Sequence, residues 1–253
     1  MSDFDFQIVI DSFPYLMSGL GFTLSLTVSA FVGGLALGLC LALVRHLEVP
    51  VLKQFATVYV AVMRSIPLIL VLFWLFFLMP LFLQYFSADG RPVPLGPKYT
   101  AFITFTLFEA AYFAEIIRAG LRSIPSGQYE ASESLALSKF EMYRKVIIPQ
   151  VLSVTTPIML TQAVILFQDT SLVYVLSLTD LLGAASKIAQ RDSRLLELYV
   201  TVAVIYFVIS SLAVEAVNYY EKRKKRNRLG PPIAEPLVPT SPAGEKPSTN
   251  PLS

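Results

Sequence analysis

Marked for Asp, Glu, Lys and Arg, the chain separates into long uncharged stretches divided by short polar ones. A helix that crosses a hydrocarbon core of about 30 Å needs about 20 apolar residues. Residues 13–44, closed by Arg45, exceed that length, and residues 65–88 and 146–168 each satisfy it. Residues 99–117 qualify despite Glu109 and Glu115, and residues 198–220 despite Glu215. The pattern predicts an all-α membrane protein with five transmembrane helices. The first run is led by Asp3, Asp5 and Asp11, so it lacks the basic start and short apolar core of a cleaved signal peptide. It predicts one long tilted helix over 15–44, with Gly33, Gly34 and Gly38 packing closely on a neighbour.

Composition sharpens this picture. Of 253 residues, 55% are hydrophobic and only 15% charged, where an ordinary soluble domain carries about 25% charged residues. That balance excludes a disordered chain, a nucleic-acid binder and almost any cytosolic enzyme. The formal charge of +2 is too small to imply a polyanionic partner. One cysteine, Cys40, set in an apolar run, leaves no disulfide scaffold or Cys-based metal site. One histidine, His46, argues against His-rich zinc chemistry and against catalysis, so neither a cofactor nor a metal is expected.

Basic residues in short loops set the orientation. With the N-terminus outside, fifteen Lys and Arg fall inside and five outside; the opposite topology reverses the ratio. The chain is therefore expected N-out and C-in. Residues 1–12 form a periplasmic N-terminus, 13–222 the transmembrane domain, and 121–150 its cytoplasmic loop. Residues 223–253 form a tail, first basic and then Pro-rich, with seven prolines from Leu229 to Ser253. Such a segment cannot bury a core and is expected to be disordered. The basic run before it is suited to anionic lipid headgroups.

The cytoplasmic loop reads unlike a loop. Pro125-Ser126-Gly127 predicts a turn that opens a helix, capped by Ser126 or Gly127. Glu130 stands in its first turn, favoured by the helix dipole, and Pro149 is expected to break the pattern before the fourth span. Leu135, Ala136, Phe140 and Tyr143 form a partly apolar strip. That strip needs a cover, either the protein's own helix ends or a groove on a soluble partner with Glu130 as a polar anchor.

Gly127-Gln128-Tyr129-Glu130-Ala131-Ser132 through Pro149-Gln150 resembles the EAA loop of importer permeases of the ATP-binding-cassette (ABC) superfamily. The segment from Ala110 to Gly120, Arg64-Ser65-Ile66-Pro67-Leu68 and Gln168-Asp169-Thr170-Ser171-Leu172 are similar to the polar amino-acid (HisMQ-like) subfamily. The stretch from Phe167 to Leu178 looks most like permeases for glutamate and aspartate in Gram-negative bacteria; many relatives have Lys where Gln168 stands. The resemblance spans residues 4–222.

It implies the five-span core of a type I importer, moved by a separate ATP-binding subunit dimer. This chain has no G-x-x-x-x-G-K-[ST] phosphate loop, so it is a transport subunit and not an enzyme. Implied partners are the ATPase, a second permease subunit forming a heterodimer, a periplasmic substrate-binding protein and a polar amino acid. The external protein would meet the outer segments, residues 169–197 and 87–98. Glu130, Ala131 and Ser132 would make the ATPase contact, flanked by Gly127, Leu135 and Ala136. The family pattern usually has Ala at Ser132 and Gly at Ala136. Either the segment stays helical through Ala136, or the turn lies elsewhere.

Arg64, Thr161, Gln162, Gln168 and Thr170 are the candidates for the substrate path, because an acidic amino acid wants donors. Arg64 could instead order the chain at Pro67. Gln168 to Ser171 could instead cap irregular chain after the fourth span. Glu115 and Arg118 are spaced for an intrahelical ion pair, and Glu109 for interhelical hydrogen bonding. A permease for glutamine or another polar amino acid, or a secondary amino-acid transporter, are the competing readings.

Overall fold

The computed structural model describes residues 4–87 and 90–229. They form eight helical elements and, among the described residues, no strand. Helix α1 (Phe6–His46) is longer than the uncharged run. The Asp5 side chain accepts from the Gln7 N–H and so starts the helix seven residues before Phe13, within the stretch expected to precede the membrane domain.

The second span departs from expectation. Its region holds α2 (Leu52–Ser65) and α3 (Leu68–Gln84), two helices that meet at 111° and reach the length and hydropathy of a span only together. Pro67 forces the break: it has no N–H to donate, and its ring pushes Ile66 into extended backbone at φ −112°, ψ 137°. Helix α4 (Pro97–Arg122) follows, then the short α5 (Ser126–Ser134). Helix α6 runs from Lys139 to Leu176, with a π turn at Tyr143–Ile147 and a 3-10 segment at Thr170–Leu176.

Pro149 does not end this helix. The Ile148 N–H bonds the Tyr143 carbonyl five residues back, a widening that relieves the clash a proline makes one turn upstream. The same device recurs in α3, where the Met79 N–H bonds the Trp74 carbonyl just before Pro80. Helix α7 (Leu181–Asp192) lies within the segment read as an outer loop, capped by Asp180, whose carboxylate accepts from Leu182 and Gly183. Helix α8 (Leu195–Leu229) carries the fifth span and continues through the basic run, so that run is helical. The Pro-rich segment, residues 230–253, lies outside the described residues.

Helix α4 is the central post. Its Phe105 and Phe113 are fully buried, and it touches α1, α2, α3 and α6. One cluster joins Leu26 and Ala30 of α1, Leu68 and Leu72 of α3, Phe105 of α4 and Leu166 of α6. A second, toward α5, joins Ala42, Phe113, Ile117, Ile147 and Val151. A third, at the opposite end, packs α7 on Leu16 of α1 and on Leu198 and Val202 of α8. The outer surface is itself apolar, with Val28 62% and Phe207 71% exposed, which suits lipid and not water.

The predicted glycine seam is present. A Cβ built on Gly34 would lie 2.7 Å from Glu109 Cβ, and one on Gly38 would lie 2.8 Å from Phe113 Cβ and 2.9 Å from the Ala110 carbonyl oxygen. Between helices in lipid, close backbone approach replaces the hydrophobic drive of water. Gly34→Ala should therefore lose about 1–3 kcal/mol by overpacking and lower the melting temperature in detergent. Gly21→Ala, whose Cβ would meet nothing within 4 Å, should leave it unchanged or raised.

Candidate functional site

The loop between α4 and α6 is built from two capped helices. Pro125, extended at φ −60°, ψ 143°, precedes α5, so Ser126 is the first helical residue and not its cap. At the other end the Ala136 N–H bonds the Glu133 carbonyl at 2.8 Å and the Leu137 N–H bonds the Ser132 carbonyl at 3.2 Å. This is the Schellman pattern, which places the residue after the cap in the left-handed region, and Ala136 has φ +55°. The turn thus falls at Ala136, an alanine in a conformation that glycine adopts without a Cβ clash. Immediately after it, Ser138 and Glu141 form a reciprocal capping box that opens α6.

Because the chain turns at Ala136, the expected apolar strip does not lie on one helix face. Leu135 and Phe140 are 75% and 71% exposed, while Tyr143 turns inward against Tyr129, Ile147 and their neighbours. Gly127, Glu130, Ala131 and Ala136 are exposed. Ser132 is 3% exposed, and its hydroxyl donates to the Gln128 carbonyl at 2.6 Å. It faces this chain's own helices and not the exposed side of α5. A methyl at Gly127 would touch nothing among the described residues.

Behind α5 the ends of α1 and α6 meet. The His46 Nε2 lies 2.9 Å from the Tyr143 hydroxyl, and the Tyr143 ring stands edge-on to Tyr129 of α5. Burial, and then the neighbouring Tyr143, raise the Tyr129 phenol above its ordinary pKa, so it stays neutral. The Gln150 Nε2 donates to the Gln128 Oε1 at 3.0 Å.

The predicted pair between Glu115 and Arg118 is the weaker of two. Their closest approach is 3.5 Å, whereas Arg45 of α1 donates to Glu115 at 2.9 Å. The Arg45 side chain is only 6% exposed, so this ion pair ties the end of α1 to α4 in a sheltered place. Nothing in the sequence pointed to it, since the partners stand 70 positions apart.

The five substrate-path candidates take separate partners. The Gln162 amide donates to both oxygens of Glu109 at 3.2 Å, the expected interhelical bond. Thr161 is exposed and bonds back to the Pro157 carbonyl at 3.1 Å. Thr170 is fully buried and bonds the Phe167 carbonyl. The Arg64 guanidinium lies 5.6 Å from the centre of the Tyr112 ring, a cation–π contact. Gln168 donates to the Ser210 hydroxyl at 3.0 Å and, with Ser171, Tyr199 and Tyr206, lines a recess of about 680 Å³ between α6 and α8. Among these candidates only Gln168 opens onto that recess.

Residues 34–227 match the family of binding-protein-dependent transport system inner membrane components. The chain belongs to this family. It is 42% identical over 228 residues to the glutamate/aspartate import permease GltK of Escherichia coli O157:H7, covering 88% of this chain and 99% of that one. It is 32% identical over 225 residues to the L-cystine transport permease TcyL of Bacillus subtilis, covering 89% and 93%. Among solved structures, an amino acid ABC transporter crystallised with histidines superposes with a TM-score of 0.77 at 30% identity, over 87% of this chain and 98% of that one. The chain is thus a transport permease subunit of an ABC importer in the inner membrane; ATP is hydrolysed by a separate subunit, and a substrate-binding protein and a second permease complete the assembly. Membership in a binding-protein-dependent family sets aside the secondary-transporter alternative.

Two outcomes follow for this permease. Ala136→Gly should relieve about 1 kcal/mol of left-handed strain and raise the melting temperature. Glu115→Gln should leave the sheltered Arg45 without its counterion, cost about 2–3 kcal/mol, and lower the melting temperature more than Arg118→Ala does.

Proposed function

We propose that this permease imports acidic amino acids, glutamate and aspartate, as one half of a heterodimeric permease core, with its N-terminus outside and α5 in the cytoplasm. The observation that carries the coupling role is the exposed face of α5. It presents Gly127, Glu130 and Ala131 beside the exposed Leu135 and Phe140, a polar anchor flanked by apolar surface that nothing among the described residues covers. In this orientation that face lies on the side of the basic loops, where an ATPase closing on ATP would seat it in a groove.

The substrate class rests on the likeness to GltK and is consistent with donors in the recess. Gln162 is already committed to Glu109, so it is a weaker candidate for the path than Gln168. Glu109, buried and held by that amide, is a structural carboxylate and a poor direct partner for an anion. Substrate choice is assigned mainly to the external binding protein.

The reading is tested by reconstituting the permease with its ATPase and binding protein. Uptake of labelled glutamate should require ATP, survive collapse of the proton gradient, and be competed by aspartate and not by glutamine. Competition by glutamine alone would move the substrate class while leaving the importer reading in place. Glu130→Lys should leave membrane insertion intact and reduce transport-coupled ATP hydrolysis by about fivefold or more. Unchanged coupling in that variant would remove Glu130 from the contact.

A further inference from the structure

The short helix α5 is held to the bundle by two tethers, Ser123 to Pro125 before it and the Ala136 turn after it, and by a small set of side-chain contacts. Two of these reach α6: Tyr129 against Tyr143, with ring centroids 6.4 Å apart at 72°, and Gln128 with Gln150. Tyr143 is the first residue of the π turn that Pro149 imposes, so its backbone position is fixed by that local widening. Its hydroxyl is then held by His46, the last residue of α1, at 2.9 Å, with the two rings 6.0 Å apart at 78°. One tyrosine ring therefore touches α5 on one side and the end of the first span on the other.

We propose that His46 is a positioning residue for energy coupling. By gripping the Tyr143 hydroxyl it makes that ring a rigid spacer, so a displacement of α5 is passed to the end of α1 as well as along α6. Neighbouring contacts support this assignment. Immediately beside His46, Arg45 is locked to Glu115 of α4, so the end of α1 cannot shift alone and a push there is delivered to α4. On the far side of His46 the chain turns sharply, with Glu48 at φ +55° and Val51 at φ +65° and the Leu52 N–H bonded to the Pro50 carbonyl at 2.7 Å. That tight turn joins α1 directly to α2. The single histidine of the chain thus stands where the end of α1 meets α6 behind the docking helix, with no need for a catalytic or metal-binding role to account for it. In the orientation proposed above this junction lies at the cytoplasmic end, and the inference rests on that reading.

The test uses the assembled transporter in vesicles: this chain, its ATPase, the second permease subunit and the binding protein, with uptake and ATP hydrolysis measured together. Four variants are compared: His46→Ala, Tyr143→Phe, the pair combined, and His46→Gln, whose amide can still hydrogen-bond the hydroxyl. Substrate moved per ATP should fall about fivefold in each of the first two, with the double variant no worse than either, because both remove one bond. His46→Gln should recover most of the loss. Copurification of the ATPase and the melting temperature should stay close to wild type.

Unchanged yield per ATP in both single variants would overturn the inference. So would losses that add in the double variant, or that track loss of the ATPase from the complex, since either would mean an ordinary structural contact. If the unaltered transporter shows no ATP-driven, binding-protein-dependent uptake, the importer reading itself falls, an outcome plainly different from a coupled transporter that ignores His46.

Discussion

The close approach of α1 and α4 sets the geometry of everything else. Two apolar helices in lipid gain little from burying one more leucine, because the lipid tails are as apolar as the partner. What holds them is dense contact, and density requires that one side lack Cβ atoms. Gly33, Gly34 and Gly38 supply that face against Thr106, Glu109 and Phe113. With the axes that near, polar groups in the interior find partners at defined heights: Gln162 on Glu109 in the middle, and Arg45 on Glu115 toward α5. A wider seam would leave Arg45 reaching into a gap, and a buried guanidinium without a carboxylate is costly. The glycines and the ion pair therefore belong to one construction.

Proline provides the second constraint. A proline inside a helix cannot donate its N–H and crowds the carbonyl four residues before it. The chain meets this problem in two ways. At Pro67 it stops and restarts at 111°. At Pro80 and Pro149 it widens by one residue into a π turn and continues. The difference matters for function. The break at Pro67 frees α2 to connect the end of α1 to the core, whereas the π turn at Pro149 keeps Lys139–Met142 and the fourth span one continuous rod.

These contrasts explain what was legible in the sequence. Spans are visible because hydrocarbon demands long uncharged runs, a rule that acts residue by residue. Helix α2 escaped it, since Lys53, Gln54 and Arg64 interrupt its apolar positions and leave no uncharged run of span length. Pro149 reads as a breaker in one dimension and proves a passenger, because the π turn that rescues it leaves no compositional trace. The ambiguity at Ala136 was a true one: alanine favours helix, and the Schellman hydrogen bonds override that preference by satisfying carbonyls that would otherwise be bare. Ser132 belongs to the loop motif by position and to the interior by rotation, which spacing alone does not settle once a turn intervenes. Arg45–Glu115 and His46–Tyr143 join residues 70 and 97 positions apart, so no local signal could reveal them.

A coupling element has to satisfy two opposing requirements. It must be loose enough at its ends to follow a partner, and stiff enough behind its docking face to push. In the coupling role proposed for it, α5 meets both through its local chemistry. Its ends are a proline turn and a left-handed alanine, neither of which extends the helix into the bundle. Its exposed face carries Glu130, with Leu135 and Phe140 beside it, while the opposite face rests on aromatic rings and a buried serine. Aromatic side chains suit this backing because two torsions suffice to fix a large rigid body, so little motion is lost to rotamer changes.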